Sequence, residues 1–297
     1  MKLATECYAC LQKLIRQAAD LATDDASLKQ RAREKAMKIL DNEFSYSQLS
    51  IVIATKIHRT VREVTHNHDP YRKMRESEMA LARELYPELL LLDEAASPNL
   101  SWRGGKQNNH NKEELREYLK LATVANAMDF FRQPATIKED IREDISFAVD
   151  DSAYLETRLK EASKVLYLAD NAGEIYFDLP LVKWMKQFTQ VIYVVKPSPV
   201  QDDLTLEDVR ETGLESEFGK VITTGIASPG IVFSLASAQF KREFESAGLI
   251  FAKGMGHYEA LSELSPKGRF FYCLKAKCKP VAKSLNVPLN SYVAILQ

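Results

Sequence analysis

Only four cysteines occur among the 297 residues, too few for a disulfide framework, and in a reducing compartment such residues act as thiols or metal ligands. A long apolar run is also missing. Stretches such as Leu89 to Leu92 are far too short to span a bilayer. The opening Met1-Lys2-Leu3-Ala4-Thr5-Glu6-Cys7 has no apolar core before a small-residue cleavage site, so it does not read as a secretory signal and a cytoplasmic location is expected. Neither sign of charge dominates, since 40 Lys and Arg stand against 41 Asp and Glu. A formal charge of −1 supplies no long-range pull toward nucleic acid or an anionic membrane, and neither is expected as a partner. No Walker loop and no Gly-x-Ser-x-Gly elbow occurs, which disfavours P-loop nucleotide enzymes and serine hydrolases. Repeats and low-complexity segments are absent too.

What remains is a chain with 45% hydrophobic residues, long enough for a large core and for two domains or subdomains. Residues 1–150 read as a helical N-terminal region and 151–297 as an α/β domain. Apolar residues at helical spacing run from Cys7 to Ala22. Asp24 and Asp25 start a second helix through Leu40, Ser47 is placed to cap a third reaching about Val64, and Asp69-Pro70 opens a fourth to about Leu92. The segment 97–111 is a loop with Gly104-Gly105 as its pivot. The helical period returns from Lys112 to Phe131, with Asn126 and Asp129 near the end, three apart and so on one face. After about residue 163, β-rich runs at 164–169, 191–195, 220–224, 249–252, 269–274 and 291–296 alternate with helical segments. That alternation predicts crossover units and a mainly parallel sheet with helices on both faces, a three-layer α/β/α domain with the helical region packed on it.

Three of those runs end in polar residues. Lys164–Ala169 empties into Asp170-Asn171-Ala172-Gly173-Glu174, the run at 191–195 into Lys196-Pro-Ser-Pro-Val-Gln-Asp202-Asp203, and the run at 249–252 into Lys253-Gly254-Met255-Gly256-His257. Ligands of open α/β sheets sit beyond the carboxyl ends of the strands, where these three ends can converge. Carboxylates and an amide oxygen beside a lysine suit a hard metal ion and a phosphate. Each piece has a plainer explanation: Asp170 and Asn171 can cap the following helix, Asp202 and Asp203 can cap one beginning at Leu204, and a strand-end lysine is usually solvated. Thr223-Thr224-Gly225 and Ser228-Pro229-Gly230 can supply donors or be simple turns.

Cys7-Tyr8-Ala9-Cys10 lies inside an apparent helix, and Cys273 and Cys278 are five apart near the other end, which fits a structural zinc, a redox pair or mere helix-face packing. His66-Asn67-His68, with His58, reads as a polar helix end, because no carboxylate or cysteine lies at a matching spacing.

Taken in order, Asp170-Asn-Ala-Gly-Glu174, the aspartates following Lys196-Pro-Ser-Pro-Val-Gln201, and Lys253-Gly-Met-Gly-His-Tyr-Glu259 resemble the damage-control phosphatase family, also called ARMT-like. Cys7-Tyr-Ala-Cys10, Asp69-Pro-Tyr71 and Lys275-Ala-Lys-Cys278 match its branch with an N-terminal Cys-x-x-Cys, so the likeness runs nearly end to end. The resemblance implies a metal-dependent phosphatase of small phosphorylated metabolites, using magnesium, manganese, cobalt or nickel. It places the metal on Asp170, Asn171 and Asp203, gives Asp170 and Lys253 catalytic roles, and makes Lys253 the phosphate-binding lysine. The substrate side would include Asn126, Asp129, Gly173 and Glu174. It also implies that Cys7, Cys10 and Cys278 approach one another as a thiol cluster. Ala125 stands where the family commonly has glycine, and Asp202 and His257 where it commonly has asparagine, departures that bear on substrate contacts.

A divalent ion on those three oxygen donors would act as Lewis acid and template, with Lys253 neutralising charge on the transferred group. The nucleophile, water or a carboxylate such as Asp170, stays open. Two other activities fit parts of the pattern. An S-adenosylmethionine-dependent carboxyl methyltransferase would want a more glycine-rich first turn, and a non-enzymatic metal- or metabolite-binding protein would need the ligands without the lysine and glycines. The sequence leaves the oligomeric state open.

Overall fold

The computed structural model describes residues 1–96, 112–126, 145–264 and 268–297. Seven strands form one sheet: β1 (Phe147–Asp150), β2 (Lys164–Leu168), β3 (Gln190–Val195), β4 (Lys220–Thr223), β5 (Leu249–Lys253), β6 (Phe270–Lys275) and β7 (Tyr292–Leu296), in the spatial order β1-β7-β6-β5-β2-β3-β4. β6 and β7 pair antiparallel, and the other neighbours pair parallel. The six expected strands are all present. β1 is an addition: it lies before the point at which the sequence changes period, and it pairs with β7 at the sheet edge.

Apolar residues occupy both faces of the central strands, as a sheet covered on two sides requires. Val165 and Tyr167 point into one layer and Leu166 and Leu168 into the other. The first layer is covered by Leu115 and Leu119 of a helix over Lys112–Ala125 and by Leu181 and Val182 of the helix Ile175–Met185. The second is covered by Phe240 and Phe244 of Ala238–Ser246 and by Val281 of Lys279–Leu285. Across the first face Tyr193, Tyr167, Phe251 and Phe271 form a ladder over four adjacent strands, with ring centroids 5.3, 4.6 and 5.5 Å apart. Cross-strand aromatic contacts of this kind lock the register on which the strand ends depend.

The N-terminal helices are α1 (Thr5–Ala22), α2 (Ala26–Glu43), α3 (Ser50–Thr65) and α4 (Arg72–Ala96). The first three share a core of Leu11, Ile15, Ala32, Ala36, Leu40, Ile57 and Val61. Asp25 caps α2, accepting from the backbone N–H groups of Ser27 and Leu28 at 2.8 and 2.9 Å. Ser47 does not cap α3: that helix begins at Ser50, and the Ser47 hydroxyl bonds Ser45 at 3.0 Å instead. Ile51 of α3 joins the core on the second face of the sheet, which ties the helical region to the strands. Among the described residues, no helix is long and apolar enough to cross a membrane.

His58 is buried in that helical core, edge-on to Tyr71 with centroids 5.7 Å apart, and its Nε2 has no hydrogen-bond partner among the described residues. Burial first, and then the charge of Arg62, lower its pKa to about 3. Below its ordinary value of 6.5 the unfolded chain therefore binds a proton that the folded chain refuses, so this group's contribution is present above pH 6.5 and is lost as pH falls toward 3. Urea unfolding should show a loss of up to ~1.4 kcal/mol per pH unit from this one side chain, and His58→Phe should flatten that slope. An unchanged slope in the variant would assign the acid sensitivity elsewhere.

β2 and β5 are neighbours, yet the chain leaves β2 toward β3 and β4 and leaves β5 toward β6 and β7. A crevice opens at such a reversal beyond the carboxyl ends of the two strands. Asp170 follows β2 there, and Lys253 closes β5.

Candidate active site at the sheet reversal

Backbone pairing brings the predicted ligands together. Asn171 and Asp203, from the loops after β2 and β3, form an antiparallel bridge. Leu204 N donates to Asp170 O and Ala172 N to Asp202 O, both at 2.8 Å. The alternative that Asp202 or Asp203 caps a helix is removed by Thr205, which is the N-cap of Leu206–Glu211 and whose Oγ1 accepts from Asp208 N at 3.1 Å. Asp203 is thereby not spent on a helix end, and its carboxylate pairs with Lys196 instead.

The loop after β3 is also held from above. The buried Arg75 of α4 donates through Nε to Asp208 Oδ1 at 3.0 Å and through its two Nη groups to Asp69 at 3.0 and 2.7 Å. Asp208 Oδ2 in turn accepts from Thr205 N and Oγ1 at 2.9 and 2.6 Å. Arg62 of α3 donates to Pro199 O at 2.9 Å. Two arginines of the helical region thus fix both halves of the segment bearing Asp203. Sequence reasoning missed both, although Asp69-Pro70-Tyr71 pointed to the place.

Behind Asp170 stands a buried chain of polar groups. Asn126 Nδ2 donates to Asp170 Oδ2 at 2.9 Å and to Glu174 Oε1 at 2.8 Å, so both of its N–H bonds are spent on carboxylates. Glu174 Oε2 pairs with Lys253 Nζ at 2.6 Å. Lys253 Nζ also meets Asp178 Oδ1 at 2.6 Å and Ala122 O at 2.7 Å. The ammonium is thus held inside the protein by two hydrogen bonds, to Asp178 and Ala122, and by the ion pair with Glu174. The expected phosphate lysine is therefore turned inward, with 0% exposure. Its partners Glu174 and Asp178 lie four apart on the turn and helix after β2, a spacing that places both on one face. Burial works against the Lys253 charge, but Asp178 and then Glu174 outweigh it and hold the ammonium above its usual range.

Gly173 is buried too, and a Cβ there would lie 3.2 Å from Glu78 O, so its role is to let α4 approach. Gly254 carries a heavier constraint. Its φ is +73°, and a Cβ would sit 1.7 Å from Asp170 Oδ2, so only glycine leaves room for that carboxylate.

Asp170 is pushed well above the carboxylate range, by burial first and then by the negative charges of Glu174 and Asp203. Asp203 is pushed up to about 7 by burial, against the opposing pull of Lys196. Carboxylates that repel one another in a buried crevice are a donor set suited to a cation. Among the described residues no three His, Cys, Asp or Glu side chains form a metal cage. The set at hand is sparser, two carboxylates with the amide of Asn171, and it fits a hard divalent ion that takes its other ligands from water or substrate.

Asp129 lies outside the described residues, as do the predicted loop at 97–111 and the end of the helix reaching Phe131. The cysteines lie elsewhere and are all free thiols. Cys278, the N-cap residue of Lys279–Leu285, has its thiol pushed up to about 12 by burial first, then by the charges of Glu259, Cys10 and Cys7. The chain's two ends thus bring these three sulfurs within electrostatic reach. Cys273 is apart from them, buried in the sheet and 2.7 Å from Thr123 Oγ1.

Residues 3–293 match the model of the damage-control phosphatase ARMT1-like domain. An uncharacterized protein of Methanocaldococcus jannaschii is 35% identical over 99% of this chain and 95% of that protein. A protein of Pyrococcus horikoshii named as a damage-control phosphatase is 31% identical over 99% of this chain and 98% of its own length. One of Archaeoglobus fulgidus with the same name is 31% identical, covering 99% of both. The crystal structure of a DUF89 family protein from Pyrococcus horikoshii superposes with a TM-score of 0.84 at 29% identity, covering 100% of this chain and 99% of that one. With motif order, fold and crevice in agreement from end to end, the chain belongs to the damage-control phosphatase ARMT1-like family.

Proposed function

We propose that this protein is a phosphatase of small phosphorylated metabolites that depends on a divalent cation held by Asp170, Asn171 and Asp203. The observation that carries the reading is the Asn171–Asp203 bridge, which draws oxygen donors from two loops to the sheet reversal. The names of the Pyrococcus and Archaeoglobus relatives support the phosphatase class. Magnesium, manganese, cobalt and nickel all suit oxygen donors. The bound ion would supply charge neutralisation and Lewis acidity at a phosphoryl oxygen.

The chain's own residues do the rest. Asn126 holds the Asp170 carboxylate in place, and Gly254 leaves it space. Lys253 is a positioning residue, acting through Glu174 and Asn126 on Asp170. The helix Gly254–Leu261 begins at the crevice, and the positive end of its dipole favours an anion.

Purified protein supplied with each of the four ions should release inorganic phosphate from some members of a panel of sugar and cofactor phosphates, and chelator should abolish that release. Full release in chelator would overturn the metal assignment. Tight adenosylmethionine binding without metal, and no release from any substrate, would overturn the phosphatase reading.

A further inference from the structure

With Lys253 occupied, the crevice needs another cation for a phosphoryl group, and the hydrogen-bond accounting identifies one. Resting on the phosphatase reading above, we propose that Lys196 is the residue that meets the substrate phosphate. Lys196 follows β3 directly and is tied to the Asp203 loop by two backbone bonds, from its N–H to Leu204 O at 2.9 Å and from Leu206 N to its carbonyl at 3.1 Å. Its ammonium stands 3.3 Å from Asp203 Oδ2 and donates to Gly230 O at 3.0 Å. Among the described residues those two acceptors use two of the three N–H bonds, which leaves one donor there.

The surroundings suit this role. Asp203 is a proposed metal ligand, so a group bound to the same ion would lie beside this ammonium. Gly230, which supplies the second acceptor, packs so closely on the β5 turn that a Cβ there would lie 2.7 Å from Gly256 O, and a Cβ on Gly256 would lie 2.1 Å from Pro229 O. Those contacts fix the Gly230 carbonyl and, through it, the direction of Lys196. With 1% exposure the side chain is fully desolvated, where a charge-assisted bond to a phosphoryl oxygen is strong. A buried lysine with a donor to spare, next to the metal ligands, is the arrangement that phosphate binding calls for.

Calorimetry separates Lys196 from the other lysines. Inorganic phosphate is titrated into manganese-loaded protein, and manganese into metal-free protein, for the parent, Lys196→Met and Lys277→Met, because Lys277 also places its charge on Asp170. Lys196→Met should weaken phosphate binding about tenfold or more while manganese affinity stays level or rises, since a competing cation beside Asp203 is gone. A general loss of structure would lower both. Should Lys196→Met fail to fold, Lys196→Gln keeps a donor for Gly230 O, and a crystal of the parent grown with manganese and phosphate reads the contact directly. An oxyanion within about 3.3 Å of Lys196 Nζ is expected there. Unchanged phosphate affinity in the folded variant, loss confined to Lys277→Met, or an oxyanion seated on Lys253 overturns the assignment alone. A parent that binds manganese but no phosphate overturns the phosphatase reading along with it.

Discussion

Lys253→Ala should be the most destabilising single change in the sheet, lowering the unfolding free energy by about 3–5 kcal/mol. The cause is the pair of carboxylates it would abandon. Glu174 and Asp178 are both fully buried, and each would lose a partner 2.6 Å away. Tyr193 Oη would remain on Asp178 Oδ2 at 3.0 Å, but one neutral hydrogen bond does not replace an ion pair. Thermal unfolding should drop by roughly 6 °C or more. Removing a carboxylate at the same time tests the cause. Lys253→Met with Asp178→Asn should recover part of the loss, because fewer uncompensated charges stay inside. A Lys253→Ala protein that melts with the parent would mean that the two carboxylates take up protons at little cost.

Asp170→Asn should separate activity from stability in the opposite sense. Under the proposed mechanism, phosphate release should fall about a thousandfold or more, a loss of ~4 kcal/mol in transition-state stabilisation, because the ion loses charge as well as a ligand. The metal-free protein should nonetheless melt at or above the parent's temperature. Asp170 repels Glu174 and Asp203, and the isosteric amide removes that repulsion while keeping an oxygen for Asn126. Such a gain in stability with loss of function is common where a site is built from strained charges. Measuring melting and phosphate release with and without manganese decides the matter. Parent-like release by the folded variant would exclude Asp170 from the metal set.

Much of this was legible from local pattern. The change of period after residue 163 gave six strands, and the polar residues at the ends of three gave the crevice, because strand direction and the side of the sheet used for binding follow from chain connectivity alone. β1 escaped because Phe147-Ala148-Val149-Asp150 is only four residues long and half exposed on alternate positions, too little apolar signal to stand out. The inward turn of Lys253 escaped for a different reason. A lysine at a strand end reads the same in sequence whether solvent or carboxylates surround it, and its partners come from a different strand–helix unit. Glu174 and Asp178, four apart on a mostly apolar helix, were the available clue. Arg75 was harder still, since its two aspartates, Asp69 and Asp208, belong to segments that meet only in the folded chain.

The edge pairing of β1 with β7 fixes an order of events during synthesis. Phe147, Val149 and Asp150 have Tyr292, Val293 and Ala294 as their register partners, so synthesis must run well past β1, to beyond residue 292, before that strand can be seated. Until then β1 lacks its one neighbour among the described strands, while β2, β3 and β4 can already assemble from consecutive segments. β7, the latest of these seven strands in chain order, is therefore what seats the edge strand β1, and a nascent chain stalled before residue 292 would leave β1 without that partner and open to other chains.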